Sequence, residues 1–83
     1  MDRESLSLKV SPNPTTGMIQ IQSNHPVQKV IIRNIQGDFI ESKYFGQESK
    51  IQLDLSHLTS SVYLVEIQSS TGERIFKKII RTQ

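Results

Sequence analysis

The stretch Ser61-Val62-Tyr63-Leu64-Val65-Glu66-Ile67-Gln68-Ser69 decides the fold. Tyr63, Val65 and Ile67 alternate with Leu64, Glu66 and Gln68. A period of two puts alternate side chains on opposite faces of a strand. The same period recurs upstream. Ile19 and Ile21 alternate with Met18, Gln20 and Gln22, and Ile51, Leu53 and Leu55 with Gln52 and Asp54. β-Branched and aromatic residues, which suit a half-buried pleated surface, are common in these runs. No stretch of comparable length carries a clean helical stripe.

Turn chemistry separates the runs. Ser11-Pro12-Asn13-Pro14-Thr15-Thr16-Gly17 holds two prolines, which fix φ and cannot donate to a ladder, so no central strand passes through it. Asn24-His25-Pro26 marks a second break, and Gly46-Gln47 another. Gln36-Gly37-Asp38 reads as a hairpin tip, and Ser69-Ser70-Thr71-Gly72-Glu73 as the last turn, with Gly37 and Gly72 supplying positive φ. About seven strands result, near 6–10, 18–23, 27–35, 39–45, 50–55, 62–69 and 74–81. Their number and spacing predict an all-β, Ig-like antiparallel β-sandwich. Strand 27–35 has Val30 and Ile32 on one face and Ile31 and Ile35 on the other, so it is either buried on both sides or bulged. Residues 56–60 have room for one short helical turn. The run Leu58-Thr59-Ser60-Ser61-Val62-Tyr63 places Tyr63 as a tyrosine corner, its ring in the core and its hydroxyl turned back to the preceding loop.

A chain of 83 residues has room for one core only. We divide it into residues 1–7, a linker, cleavage region or vector-derived stretch, and a domain over 8–83. Hydrophobic residues make up 35% and charged residues 22%, so the chain is not a disordered polyelectrolyte. There is no cysteine, which removes disulfides and thiolate metal sites. No apolar run approaches the ~20 residues of a membrane-spanning helix, and no basic-then-apolar leader opens the chain.

The candidates for chemistry fall away one by one. His25 and His57 belong to no zinc-ligand spacing, so no metal and no cofactor is expected. Asp54, Ser56 and His57 spell a catalytic triad only in letters. Neighbours at a strand end point to different faces, and Asp54 or Ser56 instead caps the turn that follows. No Gly-rich loop follows a strand. No catalytic constellation remains, and we expect no enzyme.

Charge is uneven. The net charge is +2, yet residues 1–73 hold six basic against eight acidic side chains. Arg74, Lys77, Lys78 and Arg81 fall in the last ten residues with no acid among them. A nucleic-acid binder spreads cations over a face interleaved with aromatics, so nucleic acid is not the expected partner. The run Lys77-Lys78-Ile79-Ile80-Arg81 has two readings: a final strand whose lysines deter edge-to-edge aggregation, or a recognition strand offered to a partner.

The landmarks together resemble the C-terminal sorting domain of the type IX secretion system of Bacteroidota. Pro12-Asn13-Pro14 with Gly17 matches that family's opening Pro-Asn-Pro and following Gly. Val30-Ile31-Ile32-Arg33-Asn34-Ile35-Gln36-Gly37 matches its middle strand and turn, and Leu53-Asp54-Leu55-Ser56-His57-Leu58 its alternating stretch. Tyr63 stands where the family's Gly-x-Tyr has its tyrosine, with Ser61 in place of the glycine, and Lys77-Lys78-Ile79-Ile80-Arg81 matches the closing Lys-rich strand. The match covers about residues 8–81.

The resemblance implies a non-enzymatic address at the end of a longer cargo. Such a domain folds in the periplasm and is recognised by the outer-membrane translocon. A sortase of cysteine-peptidase type then commonly removes it at the cell surface, leaving the cargo anchored to a lipopolysaccharide or released. The docking strand is expected at Lys77, Lys78, Ile79, Ile80 and Arg81, and Pro12, Asn13, Pro14, Gly17, Gly37, Ser61, Tyr63 and Gly72 are expected to shape the scaffold. No membrane insertion is expected, and a strand-swapped homodimer is compatible with a long terminal strand. The alternative is an Ig- or fibronectin-like accessory module of a secreted enzyme, binding carbohydrate or acting as a spacer. Phe39, Tyr44 and Phe45 around one hairpin would be its small aromatic patch.

Overall fold

A computed structural model describes residues 5–83. The architecture is all-β and antiparallel: β1 (Leu8–Ser11), β2 (Met18–Asn34), β3 (Phe39–Asp54), β4 (Ser61–Ser69) and β5 (Arg74–Arg81). Among the described residues there are five strands rather than the expected seven. The predicted strands 18–23 and 27–35 are one 17-residue strand, and 39–45 and 50–55 are one 16-residue strand. Both merge for the same reason. The breaks at Asn24-His25-Pro26 and Gly46-Gln47 are bulges within a pair that stays paired on either side. Between Gln22↔Lys50 and Val27↔Glu48 β2 carries the extra residues, and between Val27↔Glu48 and Lys29↔Tyr44 β3 does. Bulges bend a strand and raise its twist, which lets one strand serve two layers.

The sheet therefore curls. Its first half joins β1, the start of β2 and the end of β3. Its second half runs β5, β4, the end of β2 and the start of β3. Ile19, Ile21, Ile51 and Leu53 from the first half share one buried cluster with Val30, Ile32, Val65, Ile67 and Ile79 from the second. Alternation thus supplies both inner faces of an Ig-like sandwich. Each such aliphatic side chain contributes about 1.5–3 kcal/mol on burial.

The bend is stitched by side chains. Gln47 at its apex has φ 60. Asn24 donates from Nδ2 to the Ser5 carbonyl and accepts the Ser7 N–H at Oδ1, while Glu73 accepts the Leu6 N–H. Leu6 is buried, so Ser5–Ser7 lie against the sandwich ahead of β1.

Tyr63 forms the expected corner. Its ring is buried, and its hydroxyl donates to the Thr59 carbonyl at 2.6 Å. Ser61, which stands at the glycine position of the motif, has no positive φ, so the loop before Tyr63 does not need a glycine there. Gly37 and Gly72 do sit at φ 93 and 94, as their hairpin turns require. Residues 56–60 form no helix. Leu58 N–H bonds the Leu55 carbonyl in a simple turn, and the Asp54 carboxylate accepts the Ser56 N–H at 2.9 Å.

Candidate functional site

β5 closes the second layer. It pairs with β4 along its whole length, from Ser61↔Arg81 to Gln68↔Arg74, and its other edge belongs to no strand. Alternation sorts its side chains. Ile75, Lys77, Ile79 and Arg81 turn to the core side, with Ile79 fully buried. Arg74, Phe76, Lys78 and Ile80 turn outward and are exposed. The five residues expected to dock are thus divided by the pleat: Lys78 and Ile80 offer their side chains to solvent, and Ile79 holds the strand to the core.

Arg81 has a local duty. Its Nε donates to the Leu55 carbonyl at 3.1 Å and Nη2 to the Ser56 carbonyl at 3.1 Å, and Nη1 bonds the Thr82 carbonyl. The guanidinium gives the Leu55 carbonyl a second donor and satisfies the Ser56 carbonyl just past the end of β3, which ties the end of β5 to that corner.

The Pro12–Gly17 turn reaches the outer edge of β5. Asn13 Nδ2 donates to the Lys78 carbonyl at 2.9 Å, and Asn13 Oδ1 accepts the Ile80 N–H at 2.9 Å. One side-chain amide thereby imitates a paired strand residue. Thr15 continues the line: its N–H donates to the Ile80 carbonyl at 2.9 Å, and its carbonyl accepts the Thr82 N–H at 2.8 Å. Pro12 and Pro14, both after cis peptide bonds, flank Asn13. Thr15 is buried, and its hydroxyl accepts the Gly17 N–H and donates to the Met18 carbonyl. Gly17 lies against Ser56, where a Cβ would stand 3.1 Å from the serine Cβ, and its carbonyl accepts the Leu55 N–H. This line occupies the edge of β5 from Lys78 to Thr82 with groups from the N-terminal turn.

Other candidates stay apart. His57 Nε2 lies 2.6 Å from Glu41 Oε1 on the surface. The Asp54 carboxyl is held below its ordinary range, first by the side-chain hydrogen bond with Ser56, then by the Ser56 N–H, with smaller help from His57 and Lys43. Among the described residues no three metal-capable side chains gather. A shallow hollow on the first layer is lined by Ser7, Leu8, Lys9, Gln22, Ser23 and Asn24. The aromatic hairpin patch is dispersed: Phe39 and Tyr44 are exposed, but Phe45 packs against the core.

Two features escaped the sequence. One is the pairing of Asn13 with a strand 67 residues away. The other is the structural use of Arg81. Asn13 between two prolines signals a fixed turn, but nothing local signals what the turn touches.

The secretion system C-terminal sorting domain is the family whose sequence model this chain matches, over residues 9–82. The chain belongs to that family. The match runs from Lys9, within β1, to Thr82, and so includes the Asn13 turn, the Tyr63 corner and the whole of β5. It is a type IX secretion sorting-signal domain, a non-catalytic module whose role is to direct export to the cell surface or beyond through interaction with that machinery. No curated protein matches the chain. Among solved structures it is similar to the crystal structure of CopC from Methylosinus trichosporium OB3b, at 16% identity and a TM-score of 0.47, over 92% of this chain and 85% of that one.

Proposed function

We propose that the sorting domain is read by the outer-membrane translocon at its closing strand, with Lys78 and Ile80 as direct contacts. Lys77 and Arg81 flank them, and Ile79 keeps the strand in place. The observation that carries this reading is the family match itself, which takes in the whole of that strand. The exposure of Lys78 and Ile80 beside a core anchored by Ile79 supports it.

In this reading the domain folds in the periplasm at the end of an attached cargo, crosses with it, and is removed at the surface by a sortase. Leu6 is buried and Ser5–Ser7 are bonded to Asn24 and Glu73, which favours a cut ahead of Ser5. Pro12, Asn13, Pro14 and Gly17 act by fixing the turn that braces β5, so their part in sorting is indirect.

The test is a fusion of residues 1–83 behind a periplasmic reporter in a type IX-competent cell. The variant Lys78→Glu with Ile80→Thr should lose surface delivery while melting within a few degrees of the parent. The mass of the released parent reporter should place its new C-terminus before Ser5. Undiminished delivery of the variant would remove the closing strand from recognition.

A further inference from the structure

The two outer faces of the sandwich differ in chemistry. On the first layer the rows Lys9–Gln22–Lys50 and Ser11–Gln20–Gln52 run across three strands and are polar throughout. On the second layer three successive rows cross the strands. Tyr44, Lys29, Gln68 and Arg74 form the first, Ser42, Ile31, Glu66 and Phe76 the second, and Arg33, Leu64 and Lys78 the third. Phe76 is 58% exposed and Tyr44 71%. Strands about 4.8 Å apart and rows about 7 Å apart make this a patch of roughly 14 by 14 Å.

Charge on the patch is of one sign at its surface. Among the described residues, Lys29, Arg33, Arg74 and Lys78 share these three rows with one carboxylate, Glu66, which is buried. Glu66 lies 3.3 Å from Arg74 and 3.9 Å from Arg33, and also accepts a bond from Gln68 at 2.9 Å. It therefore holds two guanidiniums in place and offsets only part of their charge. Lys29 stands 4.9 Å from the centre of the Tyr44 ring, a cation–π distance that also holds that pair. Arg, Tyr and Phe pre-positioned around a half-buried aliphatic floor are the composition of a protein-binding hot spot. A polyanionic glycan or lipid would use the cations and leave Phe76 without a purpose. Strand addition at this end of the sheet is limited, because the edge of β5 beyond Lys78 is already bonded to Asn13 and Thr15.

We propose that this outer face of β2–β5, centred on Lys29, Arg33, Tyr44, Arg74, Phe76 and Lys78, docks an acidic protein surface with an apolar hollow, belonging to the export machinery. The inference rests on the sorting function and enlarges its recognition site from one strand to a four-strand face. The cations steer the encounter and set register, and Tyr44 and Phe76, on opposite edge strands of the face, supply the apolar contacts that docking desolvates.

The test uses the same reporter fusion. Lys29→Glu with Phe76→Thr alters the face outside the closing run 77–81. Lys50→Glu, on the polar outer face, is the control. The face variant should lose about tenfold or more of surface delivery at an unchanged melting temperature, Lys29→Arg should retain it, and the control should match the parent. A photo-crosslinking side chain at Tyr44 should capture an outer-membrane or periplasmic protein, through an acidic segment, in a salt-sensitive manner. If the face variant unfolds, the single change Lys29→Gln and the Tyr44 crosslink decide. Full delivery of the folded face variant, with Lys78→Glu/Ile80→Thr still defective, overturns the face and leaves the strand reading intact. Failure of the parent fusion to be delivered at all overturns the sorting reading itself. Saturable binding of the purified domain to lipopolysaccharide or anionic vesicles, abolished by the face variant while delivery stays normal, also overturns the proposal.

Discussion

Replacing Asn13 by alanine removes both bonds that its amide makes to β5, the donor to the Lys78 carbonyl and the acceptor for the Ile80 N–H. Asn13 is exposed, so water can replace each partner. Each bond then sits at the low end of the net range, about 0.5–1 kcal/mol, and the pair contributes about 1–2 kcal/mol. For a domain of this size that lowers the melting temperature by about 4–16 °C. The more specific signal is local. The Ile80 N–H points away from β4 and has no other partner in the strand ladder, so its hydrogen exchange should accelerate by tenfold or more, while the Ile79 N–H, which faces β4, changes only with global stability. Asn13→Asp separates the two bonds. It keeps an acceptor for Ile80 but sets a carboxylate against the Lys78 carbonyl, so Ile80 stays protected while the melting temperature still falls. An Ile80 amide as protected in Asn13→Ala as in the parent would refute the claim that this turn closes the edge.

Three further outcomes follow from single contacts. Tyr63→Phe keeps the buried ring and loses the 2.6 Å bond to Thr59, so thermal melting should report a loss of about 1 kcal/mol and a fall of about 4–8 °C. Gly17→Val drives side-chain atoms into Ser56, where even a Cβ would stand at 3.1 Å, and overpacking there should cost about 1–3 kcal/mol in denaturant unfolding. The Asp54 carboxyl has a folded pKa below its unfolded value, so its contribution is present above about pH 4 and is lost as pH falls through the folded value. Asp54→Asn should therefore make melting temperature less sensitive to pH in the acid limb and change nothing in the slope near neutrality.

The sequence carried strand identity well and connectivity poorly. Tyr63, Val65 and Ile67 are buried and their neighbours are not uniformly so, because alternation is a local property that survives any tertiary arrangement. The Tyr63 corner was legible for the same reason, since its partner lies four residues away. Asn24-His25-Pro26 and Gly46-Gln47 misled because turns and bulges use the same residues. Local chemistry shows that a chain leaves its ladder, and only the partner strand shows whether it returns. The candidate site was half legible. The closing strand stood out by charge, but its clamp depends on Asn13, joined to it by a side-chain amide from a distant turn, and its face on Lys29 and Tyr44, joined to it only through the strand register.

The central claim is that these residues form an address. Its most direct test is the surface-exposed fraction of a reporter fused to residues 1–83, measured in type IX-competent cells and in otherwise identical cells lacking the outer-membrane translocon. The account predicts delivery in the first and periplasmic retention in the second. Equal delivery in both, or retention of a correctly folded fusion in both, would contradict it.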